Sequence, residues 1–123
     1  METLNNNQQT IGLQFFSDED INANIRMLMI DESPWFVGRD IALSLGYSNP
    51  VSAITQHVDN EDSVKHAIPD YQGFMQTTTV INESGMYALI FGSKLPTAKA
   101  FKRWVTNEVL PSIRRTGGYS VRP

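Results

Sequence analysis

Basic side chains cluster towards the end of this chain, and they are the residues best suited to bind a polyanion. Residues 94–123 carry seven Lys or Arg side chains and one acidic side chain, whereas residues 1–93 carry three basic and twelve acidic ones. A local positive field can bind phosphate groups although the net charge of the chain is −3. Solvated lysines on a terminal helix give the same pattern, so charge alone leaves both interpretations open. The candidate phosphate contacts are Lys94, Lys99, Lys102, Arg103, Arg114 and Arg115.

A second group of polar side chains follows Ser48-Asn49-Pro50, a signal that predicts the start of a helix. Asn49 can cap this helix, and Pro50 suits its first turn. An earlier short helix over residues 39–45 would end at Gly46, and two short helices joined by a glycine-containing turn resemble a helix-turn-helix. Outward side chains of such a corner can bind base edges or phosphates, yet similar corners occur in proteins that never contact DNA. The candidate contacts are Arg39, Asn49, Ser52, Gln56 and His57, with Val51, Ile54 and Val58 expected to face inward.

Catalytic or metal chemistry finds little support in the sequence. Ser84 lies in Asn-Glu-Ser-Gly-Met, which lacks the first glycine of the G-x-S-x-G nucleophile elbow. The pairs His57/Asp59 and Glu61/His66 lack a recognised ligand spacing, and the chain has no cysteine. We therefore predict a protein that is not an enzyme, uses no cofactor and holds no metal ion.

The cationic residues at the end of the chain need a helix to position them. Pro96 suits the first position of that helix, Pro111 should kink or restart it, and Gly117 should cap its end. Tyr47 and Tyr119 follow helix ends, where they could stack on a base or pack onto the domain. Helical spacing predicts one buried stripe opposite the basic side chains, made of Ala98, Phe101, Trp104 or Val105, and Val109.

The rest of the sequence alternates strand and helix signals. Strands are predicted over residues 11–16, 25–30, 35–37, 64–68 and 75–81, and an apolar helix over residues 86–91. The predicted fold class is α+β, a small antiparallel sheet (a hairpin plus further strands) packed with about four to five short helices. The N-terminus does not resemble a signal peptide, and no apolar run is long enough to cross a bilayer, so we expect a cytoplasmic protein without membrane contact.

Three runs of sequence, taken in order, carry a resemblance to a known family. The first run, residues 35–50, reads Trp-Phe-Val-Gly-Arg-Asp-Ile-Ala and continues to Leu-Gly-Tyr and Asn-Pro. The middle run, residues 81–87, reads Ile-Asn-Glu-Ser-Gly-Met-Tyr, and the closing run, residues 93–117, begins Ser-Lys-Leu-Pro-Thr-Ala-Lys-Ala-Phe-Lys-Arg-Trp-Val. Together they resemble the Bro-N domain of phage and prophage antirepressors and of baculovirus BRO proteins.

This resemblance sets the expected domain limits. The domain would cover residues 10–119, after a flexible arm over residues 1–9. Residues 120–123 would be a tail, the start of a linker if a C-terminal domain follows.

The resemblance implies an α+β module associated with double-stranded DNA. It also implies an antirepressor-type transcriptional regulator of the lysogeny–lysis switch, located in the cytoplasm of a bacterial host. Its partners would then be double-stranded DNA and a phage or host repressor protein. An alternative is a protein-binding module that sequesters the repressor through the acidic loops at residues 18–20 and 59–62, without contacting DNA. A homodimer is a further expectation, because DNA regulators commonly dimerise.

Overall fold

The hairpin of the second and third strands lies at the centre of the fold. A computed structural model describes residues 12–115 of the chain. In it, Asp31 and Glu32 form a two-residue turn with φ values of 50° and 66°, a conformation that matches the right-handed twist of paired strands. The predicted N-terminal arm, the cap at Gly117 and the contact at Tyr119 lie outside the described residues.

Five strands form one antiparallel sheet, with the order β1-β2-β3-β5-β4. All five predicted strands are present, most of them with displaced ends, and together with the helices they confirm the α+β class. The strands are β1 (Gln14–Asp18), β2 (Ala23–Ile30), β3 (Ser33–Val37), β4 (Ser63–Pro69) and β5 (Met75–Ile81).

The helices pack on one face of the sheet, because apolar side chains alternate towards that face. The main core centres on Phe36, Ile81 and Phe101, while the opposite face carries a smaller cluster around Val37 and Val80. Short 3₁₀ turns cover Glu19–Ile21 and Asn60–Asp62, and a π-helical turn covers Val105–Val109. The helices are α1 (Gly38–Ser44), α2 (Pro50–His57), α3 (Glu83–Gly92), α4 (Ala98–Trp104) and α5 (Leu110–Arg115).

The sheet divides where β3 ends at Val37, because the chain turns there into α1. Residues 23–26 of β2 therefore have no β3 residue beside them. Two side chains of α1 bind the β2 backbone there instead. Asp40 Oδ2 accepts a hydrogen bond from the backbone N–H of Arg26 at 2.9 Å, and Ser44 Oγ accepts one from that of Asn24 at 3.2 Å. Asp40 also binds the Arg26 guanidinium at 2.7 and 2.8 Å, and this hydrogen bonding raises the pKa of Arg26.

The closing helices follow the predicted stripe but begin later than predicted. Pro96 is not the first helical residue: it lies in a turn that the Ala98 N–H closes by donating to the Leu95 C=O at 3.0 Å. The predicted interruption near Pro111 is confirmed. There the Leu110 N–H donates to the C=O of Val105, five residues back, which widens the helix ahead of a proline that has no N–H.

One predicted core position on α2 is wrong. Val51 is 73% exposed, whereas Ala53 and Val58 are buried. The reason is that α2 packs against α1 and α3, which turns the side of the helix that carries Val51 away from the core. As a result, the apolar side chain of Val51 lines an open groove.

Candidate nucleic-acid interface

Helix α4 separates an aromatic face from a cationic face. Phe101 and Trp104 are buried, with ring centroids 5.7 Å apart in an edge-on arrangement. Lys99, Lys102 and Arg103 are exposed on the opposite face, and among residues 12–115 none of them has an ion-pair partner. These three cations are therefore available to an anionic ligand.

The residues just before α4 contact the turn between α1 and α2, here called the α1–α2 corner. Ser93 Oγ donates to the C=O of Leu45 at 2.8 Å and accepts from the N–H of Leu95 at 3.1 Å. The Leu95 side chain packs on Gly46, whose φ of +85° confirms the predicted left-handed turn. Lys94, an exposed residue between these two contacts, therefore lies beside the corner.

Two of the predicted polar contacts on α2 lie on its exposed surface. Ser52 and Gln56 are one helical turn apart and both are exposed. Asn49 is also exposed, but its side-chain carbonyl accepts from the Ser52 N–H at 3.1 Å, so it caps the helix as predicted. The amide nitrogen of Asn49 makes no part of this cap and can donate to a ligand.

His57 has a packing role in addition to the predicted contact. It is half-buried, and its ring lies 5.6 Å from that of Tyr47. A Cβ placed on Gly92 would lie 2.7 Å from the His57 ring, so glycine lets α3 approach α2 here. The Tyr47 hydroxyl donates to the C=O of Leu89 at 2.8 Å, and burial raises the pKa of this tyrosine. Tyr47 therefore packs onto the domain.

Eight of the predicted residues lie on or next to α2 or α4, and the other three lie elsewhere. Arg39 lines a groove on the other side of α2, beside Pro50 and Val51. Arg114 and Arg115 are exposed on α5, where Arg115 lines a recess with Trp104 and Glu108. The eight residues on or next to α2 or α4, here called the helical surface, are Asn49, Ser52, Gln56, His57, Lys94, Lys99, Lys102 and Arg103.

Sequence reasoning missed Lys65, which shares the groove with Arg39. The two residues are distant in the sequence, and strand register brings Lys65 opposite Thr79 on the β4–β5 hairpin. The signal that could have found it is a lysine, with Ser63, at the alternate positions of a strand that face the helices.

The histidines of the two pairs that the sequence does not favour as metal ligands, His57 and His66, have other neighbours. Among residues 12–115 there is no group of three or more His, Cys, Asp or Glu side chains that could hold a metal ion. His66 Nδ1 instead lies 2.9 Å from its neighbour's carbonyl, that of Ala67, and Asp62 accepts from Asn82 Nδ2 at 3.0 Å. Within the same described range, no helix has both the length and the apolar character needed to span a membrane.

Comparison with known proteins identifies relatives for most of the chain. Residues 24–111 match the profile of the BRO family, N-terminal domain. The chain is 40% identical over 89 residues to an uncharacterized protein of Haemophilus influenzae, covering 72% of this chain and 44% of that protein. It is 36% identical over 107 residues to the putative Bro-N domain-containing protein 289L of Invertebrate iridescent virus 6, covering 73% of this chain and 26% of that protein.

A baculovirus relative extends the match. The chain is 32% identical over 124 residues to the uncharacterized Bro-N domain-containing protein ORF2 of Autographa californica nuclear polyhedrosis virus, covering 89% of this chain and 38% of that protein. The chain thus spans less than half the length of each of these three relatives. No solved structure matches it.

Proposed function

The chain belongs to the BRO family, of which it carries the N-terminal domain, and from this premise we propose that it is a double-stranded DNA-binding module. The helical surface is its contact surface. Lys94, Lys99, Lys102 and Arg103 bind backbone phosphates, and the polar side chains of α2 set the register on the duplex or bind base edges.

One observation carries this proposal: the position of Lys94. The Ser93–Leu45 hydrogen bond and the packing of Leu95 on Gly46 join the cationic helix to the polar corner. Lys94, between these two contacts, puts a positive charge next to the turn that leads into α2, although the chain as a whole is acidic. Phosphate contacts supply affinity and groove contacts supply orientation, so a DNA-binding surface needs both.

Salt dependence of duplex binding tests the proposal. With about four neutralised phosphates, one for each of these cations, a plot of log affinity against log salt should have a slope of about −3.6. Fluorescence anisotropy of a labelled duplex measures it. Absence of binding at about 20 mM salt, where electrostatic contacts are least screened, would overturn the proposal if the sample is folded.

A charge-matched pair of variants separates the helical surface from net charge. In K99Q/K102Q/R103Q the slope should become less steep by about three, because each phosphate contact contributes about one. The control Y71E/Q72E/F74E makes the same change in net charge at the exposed β4–β5 turn. An equal change in both variants would show that binding follows net charge and not this surface.

We further propose, from the sequence resemblance, that the whole protein is an antirepressor-type transcriptional regulator. DNA binding by this module is favoured over repressor capture, because the two acidic loops lie at opposite edges of the sheet. Glu19–Ile21 joins edge strand β1 to β2, and Asn60–Asp62 precedes the other edge strand, β4. If the chain instead lowered the affinity of a cognate repressor for its operator without binding the operator itself, repressor capture would replace this proposal.

A further inference from the structure

The helix-facing side of the β4–β5 hairpin changes from apolar to polar along its length. Ile81 belongs to the main core, and the next residues of β5 on the same face are Thr79 and Thr77. Across the register on β4 they are joined by Ser63 and Lys65. Sheet positions that face a helix are normally apolar, so a polar set here needs a cause other than core packing.

The same part of the hairpin lacks a neighbouring strand. Pairing of β3 with β5 stops at Val80, because the chain turns into α1 after Val37. Within the described residues, β5 therefore has no strand partner on that side over residues 75–79. A groove of about 460 Å³ lies there, between β5 and α2.

The charges that line this groove are all positive. Arg39 and Lys65 line it, and they are two of the three basic residues in residues 1–93. The third, Arg26, is paired with Asp40. No acidic side chain lines the groove among the described residues, although this part of the chain is strongly acidic. Neutral polar residues complete the lining: Thr55, Asn60, Ser63, Thr77, Thr78 and Thr79. The Thr55 hydroxyl already donates to the C=O of Val51 at 3.0 Å, and Thr78 alternates to the opposite face of β5, so the hydroxyls on the helix-facing side are those of Ser63, Thr77 and Thr79.

The opposite wall of the groove is mostly apolar. It is formed by α2 and the residue that follows it, with Pro50, Val51, Ile54 and Val58 beside the single polar residue Thr55. This explains why Val51 stays exposed: it faces the groove and not the core. A site with cations and hydroxyls on one wall and aliphatic side chains on the other suits a ligand that has a phosphate and an apolar body.

We propose that this groove binds a nucleotide unit through its phosphate. Arg39 and Lys65 pair with the phosphate, threonine and serine hydroxyls donate to its oxygens, and α2 covers the sugar and base. The volume lies in the range of small-molecule sites. The groove has no aromatic ring among its lining residues, which argues against a stacking site for single-stranded nucleic acid.

This inference goes beyond the proposed duplex contact, because the groove and the helical surface lie on different sides of α2. The phosphate has two chemical sources, a free nucleotide or the backbone of DNA. Both present the same anionic group to Arg39 and Lys65, so the test needs an arm for each source.

The test is a titration of the ¹⁵N-labelled chain followed by two-dimensional NMR. dAMP should shift the amide signals of the groove, with a Kd on the order of 1 mM or below. Either single variant, R39M or K65M, should weaken binding about tenfold or more, because a charge-assisted hydrogen bond is lost. The control R115M makes the same change in charge on α5, outside the groove and the helical surface, and should leave dAMP affinity unchanged. Deoxyadenosine, which lacks the phosphate, should bind at least about tenfold more weakly.

The second arm uses a short duplex without terminal phosphates, added to K99Q/K102Q/R103Q. If dAMP shifts the amide signals of the groove, the ligand of the groove is a free nucleotide. If only the duplex shifts them, the ligand is the phosphate backbone of DNA. Either result supports the phosphate site. No groove shift with either ligand up to about 10 mM dAMP would overturn it, as would equal binding of deoxyadenosine or loss of binding in R115M. An unchanged spectrum of each free variant excludes misfolding. Failure of duplex binding in the unmodified chain would leave the dAMP result standing, so the two proposals fail separately.

Discussion

The closing helices and the α1–α2 corner, both parts of the proposed DNA contact, combine folding and binding in different ways. In α4, folding and binding are assigned to opposite faces: Phe101 and Trp104 are buried, while the cations face solvent. In the corner, individual residues serve both purposes, since Asn49 caps α2 and His57 packs against Tyr47. Substitutions in α4 should therefore separate stability from binding, whereas substitutions in the corner should change both.

The largest expected effect is on the buried face of α4. Phe101→Ala should lower the free energy of unfolding by about 3–5 kcal/mol, because the ring is 1% exposed and its removal leaves a cavity. Urea denaturation followed by circular dichroism measures this loss. The matched control is Phe91→Ala, where the ring is 93% exposed and the expected change is within about 0.5 kcal/mol. Equal losses in the two variants would contradict the assignment of faces.

The cationic face of α4 should show the opposite behaviour. K99Q/K102Q/R103Q should bind duplex DNA about 10- to 100-fold more weakly at moderate salt, since about three phosphate contacts are lost. Its free energy of unfolding should change by no more than about 0.5 kcal/mol, as expected for exposed side chains that have no ion pair within residues 12–115. Paired anisotropy and urea measurements on one preparation test both statements. A stability loss as large as that of Phe101→Ala would show that the two faces are not independent.

Asn49 tests the double role of the corner. Asn49→Ala should cost about 1 kcal/mol of stability, because the Ser52 N–H loses its acceptor. Asn49→Ser should restore most of that loss, since serine is also a good cap. If capping is the main role of Asn49, serine should also restore duplex binding. Recovery of stability without recovery of binding would instead indicate a direct contact of the asparagine amide with DNA.

The smallest expected effect concerns Tyr47. Tyr47→Phe removes the hydroxyl that donates to the Leu89 carbonyl and should cost about 0.5–1.5 kcal/mol at neutral pH. Burial raises the pKa of Tyr47 in the folded chain, so the unfolded chain loses this proton first. Stability should therefore fall as pH rises above the ordinary tyrosine value of about 10, and the fall should be smaller in Tyr47→Phe. Denaturation midpoints at pH 7 and above pH 10 provide the measurement, and an identical pH dependence in both proteins would contradict it.

Local signals in the sequence predicted much of this fold. The cap at Asn49, the left-handed turn at Gly46 and the stripe through Phe101 each depend on neighbouring residues alone, and all three are confirmed. Val51 and Pro96 were assigned wrongly. The side that α2 presents to α1 and α3, and the turn that precedes α4, are set by tertiary contacts.

The candidate sites divide in the same way. The cations of α4 could be read from helical periodicity, and their exposure is confirmed. The juxtaposition of Arg39 with Lys65 could not be read, because it depends on the register of β4 with β5 and on the early end of β3. Likewise, the contact of Leu95 with Gly46 joins two parts of the sequence that no local pattern connects.

The placement of Asp40 and Ser44 on α1 has a consequence for the behaviour of this domain in concentrated solution. An open strand edge presents unpaired N–H groups to which a strand of another molecule can add, a common route to aggregation. Here the N–H groups of Arg26 and Asn24 are occupied by side chains of a helix of the same chain. Beyond the end of β3, these backbone N–H groups of β2 are therefore not free to pair with a strand of a neighbouring molecule. The domain is protected against edge-to-edge association at this point of the sheet.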